Sequence, residues 1–128
     1  MNSRTGRQAL SLAAINGFLV VAIGAFGAHG LEAKLSAEML EVFNTGVQYH
    51  MFHVVGFVAV AILCVFNKSP RLRFCSWLFA AGIFLFCGSL YVLAITGIRS
   101  LGMITPVGGI VFLVAWCLLF VEAIRAND

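Results

Sequence analysis

The three histidines form the most suggestive set of ligand-type side chains in the chain. His29 ends the first apolar segment, while His50 and His53 begin the second. A step of three residues puts His50 and His53 on one face of a helix. Neutral imidazole binds haem iron and transition metals well, and helical bundles hold such ligands between facing helices. One hypothesis is therefore a haem or transition-metal site formed by His29 with His50 or His53.

The same histidines also have a structural interpretation. Imidazoles near a membrane interface can hydrogen-bond to loop carbonyls, helix ends or water, and no carboxylate or cysteine accompanies these three as a further ligand. A third hypothesis is a proton or pH sensor, because imidazole titrates near neutral pH. We therefore predict no resident cofactor, and haem or a transition metal remains the alternative.

Sequence motifs typical of enzymes are missing from the chain. It has no GxSxG, no phosphate-binding loop, no HExxH and no pair of carboxylates within an apolar segment. In that order, these patterns supply a nucleophile, a binding site for phosphate, a metal site and an acid–base pair. The sequence therefore predicts no catalytic residue and a protein that is not an enzyme.

The composition indicates whether the helices that position these residues are surrounded by water or by lipid. Hydrophobic residues make up 62% of the 128 residues and charged residues only 10%, whereas soluble domains carry about 25% charged residues. Four apolar segments, 9–28, 49–66, 74–96 and 106–124, approach or exceed the length of about 20 residues that crosses a hydrocarbon core of about 30 Å. The sequence predicts an all-α integral membrane four-helix bundle that forms a single domain, 1–128.

The distribution of basic residues predicts the orientation of the spans. Six of the eight Lys and Arg residues would lie on one side: Arg4, Arg7, Lys68, Arg71, Arg73 and Arg125. The other side would have only Lys34 and Arg99. Since basic residues concentrate in cytoplasmic segments, we predict a bacterial inner (plasma) membrane protein with both termini in the cytoplasm. A net charge of +3 without a basic run gives no indication of nucleic-acid binding.

The connection between the first two spans, residues 30–48, is amphipathic. Its apolar residues recur at three- and four-residue steps, opposite Glu32, Lys34, Glu38 and Glu41. Ser36 is suited to cap a helix whose first turn contains Glu38. We predict a short amphipathic helix that lies on the outer membrane surface and covers that end of the bundle.

Small and polar residues predict how the helices associate. Small residues let helices approach closely in lipid, and they recur along the spans at Ala13, Gly17, Gly24, Ala28, Gly56, Gly88 and Gly108. Asn16 and Tyr91 are the polar residues expected within the membrane, and each is predicted to form an interhelical hydrogen bond. Glu122 could pair with Arg125 three residues later. The four cysteines are interpreted as small apolar residues.

Four motifs resemble a known family. They are GAFGAHGL at 24–31, TGVQYHMFH at 45–53, GSLYVLA at 88–94 and ITPVGG at 104–109. In this order they resemble the YgdD/YwdK-like family of small bacterial inner-membrane proteins of unknown function. The resemblance implies a four-span membrane fold, and it supplies no catalytic residue, cofactor or substrate.

Three functions are compatible with these patterns. The leading hypothesis is a non-enzymatic accessory or scaffold bundle in the lipid bilayer that acts through protein partners, as a homo-oligomer or within a larger membrane complex. The first alternative is a haem- or metal-binding membrane protein that uses the three histidines. The second is a small oligomeric transporter or channel lined by Asn16, Tyr91 and Thr105.

Overall fold

A computed structural model describes residues 4–125 and contains five α-helices. Their bounds are Arg4–Phe26 (α1), Ala37–Phe66 (α2), Pro70–Gly82 (α3), Gly88–Thr96 (α4) and Thr105–Arg125 (α5). Three short helical turns complete the chain: the π-helical turns Gly27–Leu31 and Ile83–Cys87 and the 3-10 turn Arg99–Met103. The first π turn extends α1, and the second joins α3 to α4 in one continuous stretch.

Four continuous helical stretches are long and apolar enough to cross a membrane. They are Arg4–Leu31, Ala37–Phe66, Pro70–Thr96 and Arg99–Arg125. Each of them contains one of the four apolar segments identified in the sequence. The all-α fold with four transmembrane helices is thus confirmed.

Local sequence signals set the ends of the helices. The hydroxyl of Ser36 accepts a hydrogen bond from the backbone N–H of Met39, 3.1 Å away, and caps α2 as predicted. Ser69 caps α3 in the same way, with Pro70 at the first helical position, where a missing N–H costs nothing. Gly97 ends α4 with a positive φ of 74° that an L side chain rarely adopts.

The amphipathic segment differs from its prediction in one respect: its residues 37–48 are the first part of α2 and not a separate surface helix. α2 has 30 residues, which corresponds to about 45 Å at about 1.5 Å per residue. That length exceeds a hydrocarbon core of about 30 Å, so the first turns of α2 project beyond it. No proline interrupts residues 37–66, and helix propagation through this segment is therefore uninterrupted.

The second and third spans form the centre of the bundle. α2 packs on α1 and on α3 and α4, while α5 packs on α3 and the π turn that follows it. The largest fully buried side chains are Phe43, Phe57, Val60, Cys64, Cys75, Ser76, Phe79 and Cys87. Three of the four cysteines are therefore buried, and Cys117 is exposed.

Close helix packing involves some of the predicted small residues and not others. An added Cβ would lie 2.4 Å from the backbone N of Phe86 at Gly108 and 2.9 Å from the ring of Phe79 at Gly56. Ala13 is fully buried. By contrast, a Cβ at Gly88 would meet no heavy atom within 4 Å, and Ala28 is exposed. The prediction that these last two mediate helix packing therefore fails within one copy of the chain.

The remaining predicted glycines, Gly17 and Gly24, make ordinary contacts. A Cβ would lie 3.7 Å from Val54 at Gly17 and 3.5 Å from Val47 at Gly24. Gly6, which the sequence analysis did not select, lies much closer to α2: a Cβ there would be 2.6 Å from the carbonyl oxygen of Cys64. Gly6 thus brings the backbones of α1 and α2 close together near the end of the bundle that contains Arg4.

Candidate functional site

His50 is the centre of a buried hydrogen-bond network that joins three helices. The side chain lies on α2 and is only 3% exposed. Its Nδ1 is 2.9 Å from the hydroxyl of Tyr91 on α4, and its Nε2 is 3.1 Å from Oδ1 of Asn16 on α1. The amide nitrogen of Asn16 donates in turn to the carbonyl of Leu12, 2.9 Å away. Asn16 and Tyr91 thus form the interhelical hydrogen bonds expected of them.

The direction of each hydrogen bond follows from the end of the network. The Asn16 amide nitrogen donates to a carbonyl, so its Oδ1 accepts from Nε2–H of His50. Nδ1 then has a lone pair, which accepts the hydroxyl proton of Tyr91. One neutral tautomer therefore satisfies every polar atom of the network. Both ring nitrogens of His50 are occupied, which leaves none for a metal or haem iron.

His53 lies one turn further along α2 in different surroundings. Its Nδ1 donates to the carbonyl of Tyr49, 2.7 Å away, and its ring stacks on Phe112 of α5 with centroids 3.5 Å apart and planes 11° apart. Trp116 approaches the ring from the side. Since Nδ1 carries the proton in the neutral ring, Nε2 is an acceptor, and no hydrogen bond to it forms among residues 4–125.

The ring of His53 lines a groove between α2 and α5. The groove has a volume of about 500 Å³ and is mainly apolar. Its walls are formed by Tyr49, Phe52, His53, Phe86, Pro106, Gly109, Ile110, Phe112, Leu113 and Trp116. Phe52 and Leu113, on opposite walls, are 62% and 66% exposed. The groove is therefore open to the surroundings of the bundle.

His29 lies apart from this groove. It is exposed in the π turn after α1, whereas His53 is only 4% exposed and faces α5. Within residues 4–125, no three His, Cys, Asp or Glu side chains are placed so that they could hold one metal ion. The structure thus does not bring His29, His50 and His53 to a common site.

A second polar link joins the third and fourth spans. The hydroxyls of Ser89 and Thr105 are 2.6 Å apart, and Ser89 also donates to the carbonyl of Phe86, 2.9 Å away. Thr105 was suggested by the sequence as a lining residue of a transport path. Its hydroxyl instead holds the start of α5 against the start of α4.

The π turn at Ile83–Cys87 is a feature that the sequence analysis missed. A π turn adds a residue to the helical ladder and shifts the side chains that follow it. It stands directly before Ser89 and Tyr91 and places Phe86 against Tyr49, with ring centroids 4.5 Å apart. The flanking Gly82 and Gly88 are only a weak signal for such a turn. Both polar links of the third span therefore depend on an irregularity that hydropathy does not reveal.

Glu122, near the end of α5, contacts the start of α3 and the residue that caps it. Ser69 donates to its Oε1 at 2.7 Å, and Arg71 Nη1 is 3.9 Å from its Oε2. The sequence analysis suggested Arg125 as the partner, and the structure gives Arg71 instead. Ser69 and Arg71 approach the carboxylate of Glu122 from the neighbouring helix and take the place of Arg125, which is three residues later in α5.

Known proteins are similar to this chain over most of its length. The family described as "Protein of unknown function (DUF423)" matches residues 23–109. The UPF0382 membrane protein YwdK of Bacillus subtilis is 48% identical over 115 residues, which cover 89% of this chain and 94% of that protein. The UPF0382 inner membrane protein YgdD of Escherichia coli is 41% identical over 121 residues, which cover 94% and 92% respectively. No solved structure gives a significant match.

Proposed function

Since this chain belongs to the DUF423 family of membrane proteins of unknown function, we propose that it is a non-enzymatic accessory bundle that binds a transmembrane helix of another protein. Its membership confirms the resemblance carried by the four sequence motifs, and its place in a membrane is established with it. The proposal rests on one observation: His53, whose Nε2 accepts no hydrogen bond from residues 4–125, lines the groove between α2 and α5.

The position of His53 along the membrane-spanning part of α2 supports this proposal. His53 lies thirteen residues before Phe66, the end of α2, which is about 20 Å at about 1.5 Å per residue. In a hydrocarbon core of about 30 Å this position is well away from water on the side of Phe66. An acyl chain cannot donate a hydrogen bond, and an unsatisfied polar group in hydrocarbon costs several kcal/mol. A donor from outside the chain would therefore be favoured at this point.

The chemistry of the groove defines the partner. The groove is concave and the unpaired ring nitrogen of His53 is an acceptor, so the partner should be convex and carry a donor for that nitrogen. A transmembrane helix with a Ser, Thr, Asn or Gln side chain meets both requirements, because such residues hydrogen-bond between helices in membranes. Its other side chains would pack on the aromatic walls of the groove.

A second copy of the chain fits this groove less well. In a two-fold symmetric pair the same surface of each copy faces the other. The Nδ1 proton of His53 is already donated to Tyr49, so two acceptor nitrogens would meet across two concave surfaces. This argument favours a different protein as the partner.

The geometry gives less support to the two alternatives. Haem or metal binding requires free imidazole nitrogens in one place, whereas His50 uses both of its nitrogens and His29 lies apart. A transport path requires polar groups that face an opening. Asn16 and Tyr91 face His50 instead.

Photo-crosslinking in the membranes of the native host tests the proposal. A photoreactive amino acid is placed at Phe52 or Leu113 in the groove, and at Phe18 on α1 as a control that is 74% exposed. We expect both groove positions to yield the same adduct with a different protein. The crosslinked peptide should map to a transmembrane helix that contains a Ser, Thr, Asn or Gln residue, and Phe18 should not yield that adduct.

Two substitutions of His53 make the test specific. His53→Asn has an amide group that can replace Nδ1–H and lacks the acceptor at Nε2, whereas His53→Gln places an acceptor near Nε2. Since an interhelical hydrogen bond in a membrane is worth about 1 kcal/mol, about fivefold in affinity, the adduct should fall about fivefold in His53→Asn and less in His53→Gln. The proposal would be overturned by adducts with lipid only or with a second copy only. It would also be overturned if the adduct yield were the same in His53→Asn as in the unsubstituted protein.

A further inference from the structure

A second groove, between α1 and α3, has a different chemical character. Its volume is about 810 Å³. Four polar residues of α1 and two residues with apolar surface line it: Arg4, Arg7, Gln8, Ser11, Leu12 and Trp77. It lies at the end of the bundle where α1 begins and is independent of the groove that contains His53. Its basic residues and its indole are the features that point to a ligand.

The two guanidinium groups in this groove are not neutralised within the described chain. The ion pairs among residues 4–125 are Arg71 with Glu122 and Arg99 with Glu38, and neither involves Arg4 or Arg7. A step of three residues places Arg4 and Arg7 side by side on α1. Guanidinium groups bind phosphate through two parallel hydrogen bonds. Two such groups at one groove form a site for a phosphate-bearing anion.

The rest of the groove suggests where that phosphate comes from. Trp77 is half exposed, and tryptophan is enriched at the level of lipid headgroups, where its ring is in apolar surroundings and its N–H is in polar ones. Leu12 lies further along α1 from the two arginines, toward the middle of the membrane. The groove thus changes from cationic to apolar in the direction in which a phospholipid changes from headgroup to acyl chain.

We propose that this groove binds an anionic phospholipid. Arg4 and Arg7 hold the phosphate, Gln8 and Ser11 face the polar part of the lipid, and an acyl chain lies against Leu12 and Trp77. Basic grooves between transmembrane helices commonly serve such headgroups. A neutral phospholipid carries the same phosphate with a choline that the two arginines repel, so the groove should prefer the anionic lipid.

Quenching of Trp77 fluorescence by brominated lipids measures this preference. Purified protein in a Trp116→Phe background, which leaves Trp77 as the single tryptophan, is placed in vesicles with brominated phosphatidylglycerol or brominated phosphatidylcholine. We expect stronger quenching by phosphatidylglycerol than by phosphatidylcholine at equal bromine content. In Arg4→Gln/Arg7→Gln the repulsion of choline and the attraction to the net negative charge of phosphatidylglycerol are both lost, so the preference should fall about tenfold, which corresponds to about 1.4 kcal/mol.

The matched control removes the same charge from the same end of the bundle. Lys68→Gln/Arg125→Gln also eliminates two positive charges, and both residues are exposed and lie outside this groove. The control should keep the preference of the unsubstituted protein. An equal loss in both double variants would show a general surface-charge effect and overturn the site. Displacement of the brominated lipid by inorganic phosphate would overturn the assignment to a lipid, as would equal quenching by the two lipids in the unsubstituted protein.

Discussion

The Nδ1 of His50 and the hydroxyl of Tyr91 lie 2.9 Å apart and connect α2 to α4 inside the bundle. Asn16 of α1 completes the connection on the other side of the imidazole, 3.1 Å from Nε2. Polar groups at this depth have few alternative partners, because lipid offers none. The three helices can therefore satisfy these groups only in one relative rotation and register. The network specifies the arrangement of helices whose apolar surfaces alone would allow several.

Tyr91→Phe tests this network. The substitution removes one hydroxyl and leaves the Nδ1 lone pair of His50 without a donor in apolar surroundings. We expect the free energy of unfolding to fall by about 1 kcal/mol, and by no more than about 2 kcal/mol, which is the range for interhelical hydrogen bonds in membranes. Reversible unfolding in mixed micelles, followed by circular dichroism, measures the change.

Tyr49→Phe is the matched control for that measurement. Tyr49 is 44% exposed, and its hydroxyl forms no hydrogen bond with another residue among 4–125. Its loss should change the free energy of unfolding by less than about 0.5 kcal/mol, as for other surface substitutions. Equal losses for the two tyrosines would contradict a specific role for the network.

Gly108 and Gly88 make a second matched pair. A Cβ at Gly108 would lie 2.4 Å from the backbone N of Phe86, which cannot move aside as a flexible side chain would. Gly108→Ala should therefore separate α5 from the π turn and destabilise the bundle by about 2 kcal/mol or more, as overpacking does. Gly88→Ala meets no atom within 4 Å, so it should be neutral or stabilise by up to about 1 kcal/mol through helix propensity.

The same unfolding assay distinguishes the two glycine variants. Their order is the critical result, since both substitutions add one methyl group to a span. If Gly88→Ala were the more damaging of the two, the close approach of α5 to Phe86 would be wrong. If both were equally damaging, backbone flexibility would explain the result better than packing.

Hydropathy and local signals were sufficient to predict the number of spans and the start of α2. Ser36 caps that helix as predicted, because capping depends on a few neighbouring residues. The continuity of α2 was missed because its first part is amphipathic and the rest is apolar. In the sequence, such a change of pattern resembles a boundary between two helices. Its hydrogen-bond ladder has no such boundary between Ala37 and Phe66.

The partners of polar residues could not be predicted in the same way. Asn16 was expected to form a hydrogen bond with another helix. The sequence does not indicate that its partner is His50, 34 residues away. In spans that are apolar on all sides, periodicity does not show which side faces a neighbour. The rotation of each helix depends on packing and on the π turn. It determines that His50 faces α1 and α4 while His53 faces α5.

The ion pair between Glu38 and Arg99 predicts a pH dependence at the outer end. Arg99 donates to both carboxylate oxygens of Glu38, at 3.1 and 3.4 Å, beyond the hydrocarbon core. This lowers the pKa of Glu38 below its ordinary value. Because the folded-state pKa is the lower one, the stabilisation is present above the ordinary pKa. It is lost as the pH falls through the lowered value.

An NMR titration of the Glu38 carboxyl carbon checks this prediction. In Arg99→Gln the pKa of Glu38 should rise toward its ordinary value, and added salt should raise it in the unsubstituted protein, because both side chains are exposed and salt screens the pair. Arg125→Gln, at the other end of the bundle, should leave the titration unchanged. A pKa of Glu38 that is the same with and without Arg99 would contradict the ion pair in solution.

The orientation of the four spans is a further prediction, and it follows from charge. An even number of spans places both termini on one side, and six of the eight Lys and Arg residues lie on that side. Since basic segments are retained in the cytoplasm, green fluorescent protein should fluoresce when fused to either terminus, and alkaline phosphatase should be inactive there. A cysteine at Lys34 should react with a membrane-impermeant maleimide in intact cells, whereas a cysteine at Lys68 should react only after lysis. Labelling of Lys68→Cys from outside would reverse the orientation, and active phosphatase at one terminus alone would rule out four spans.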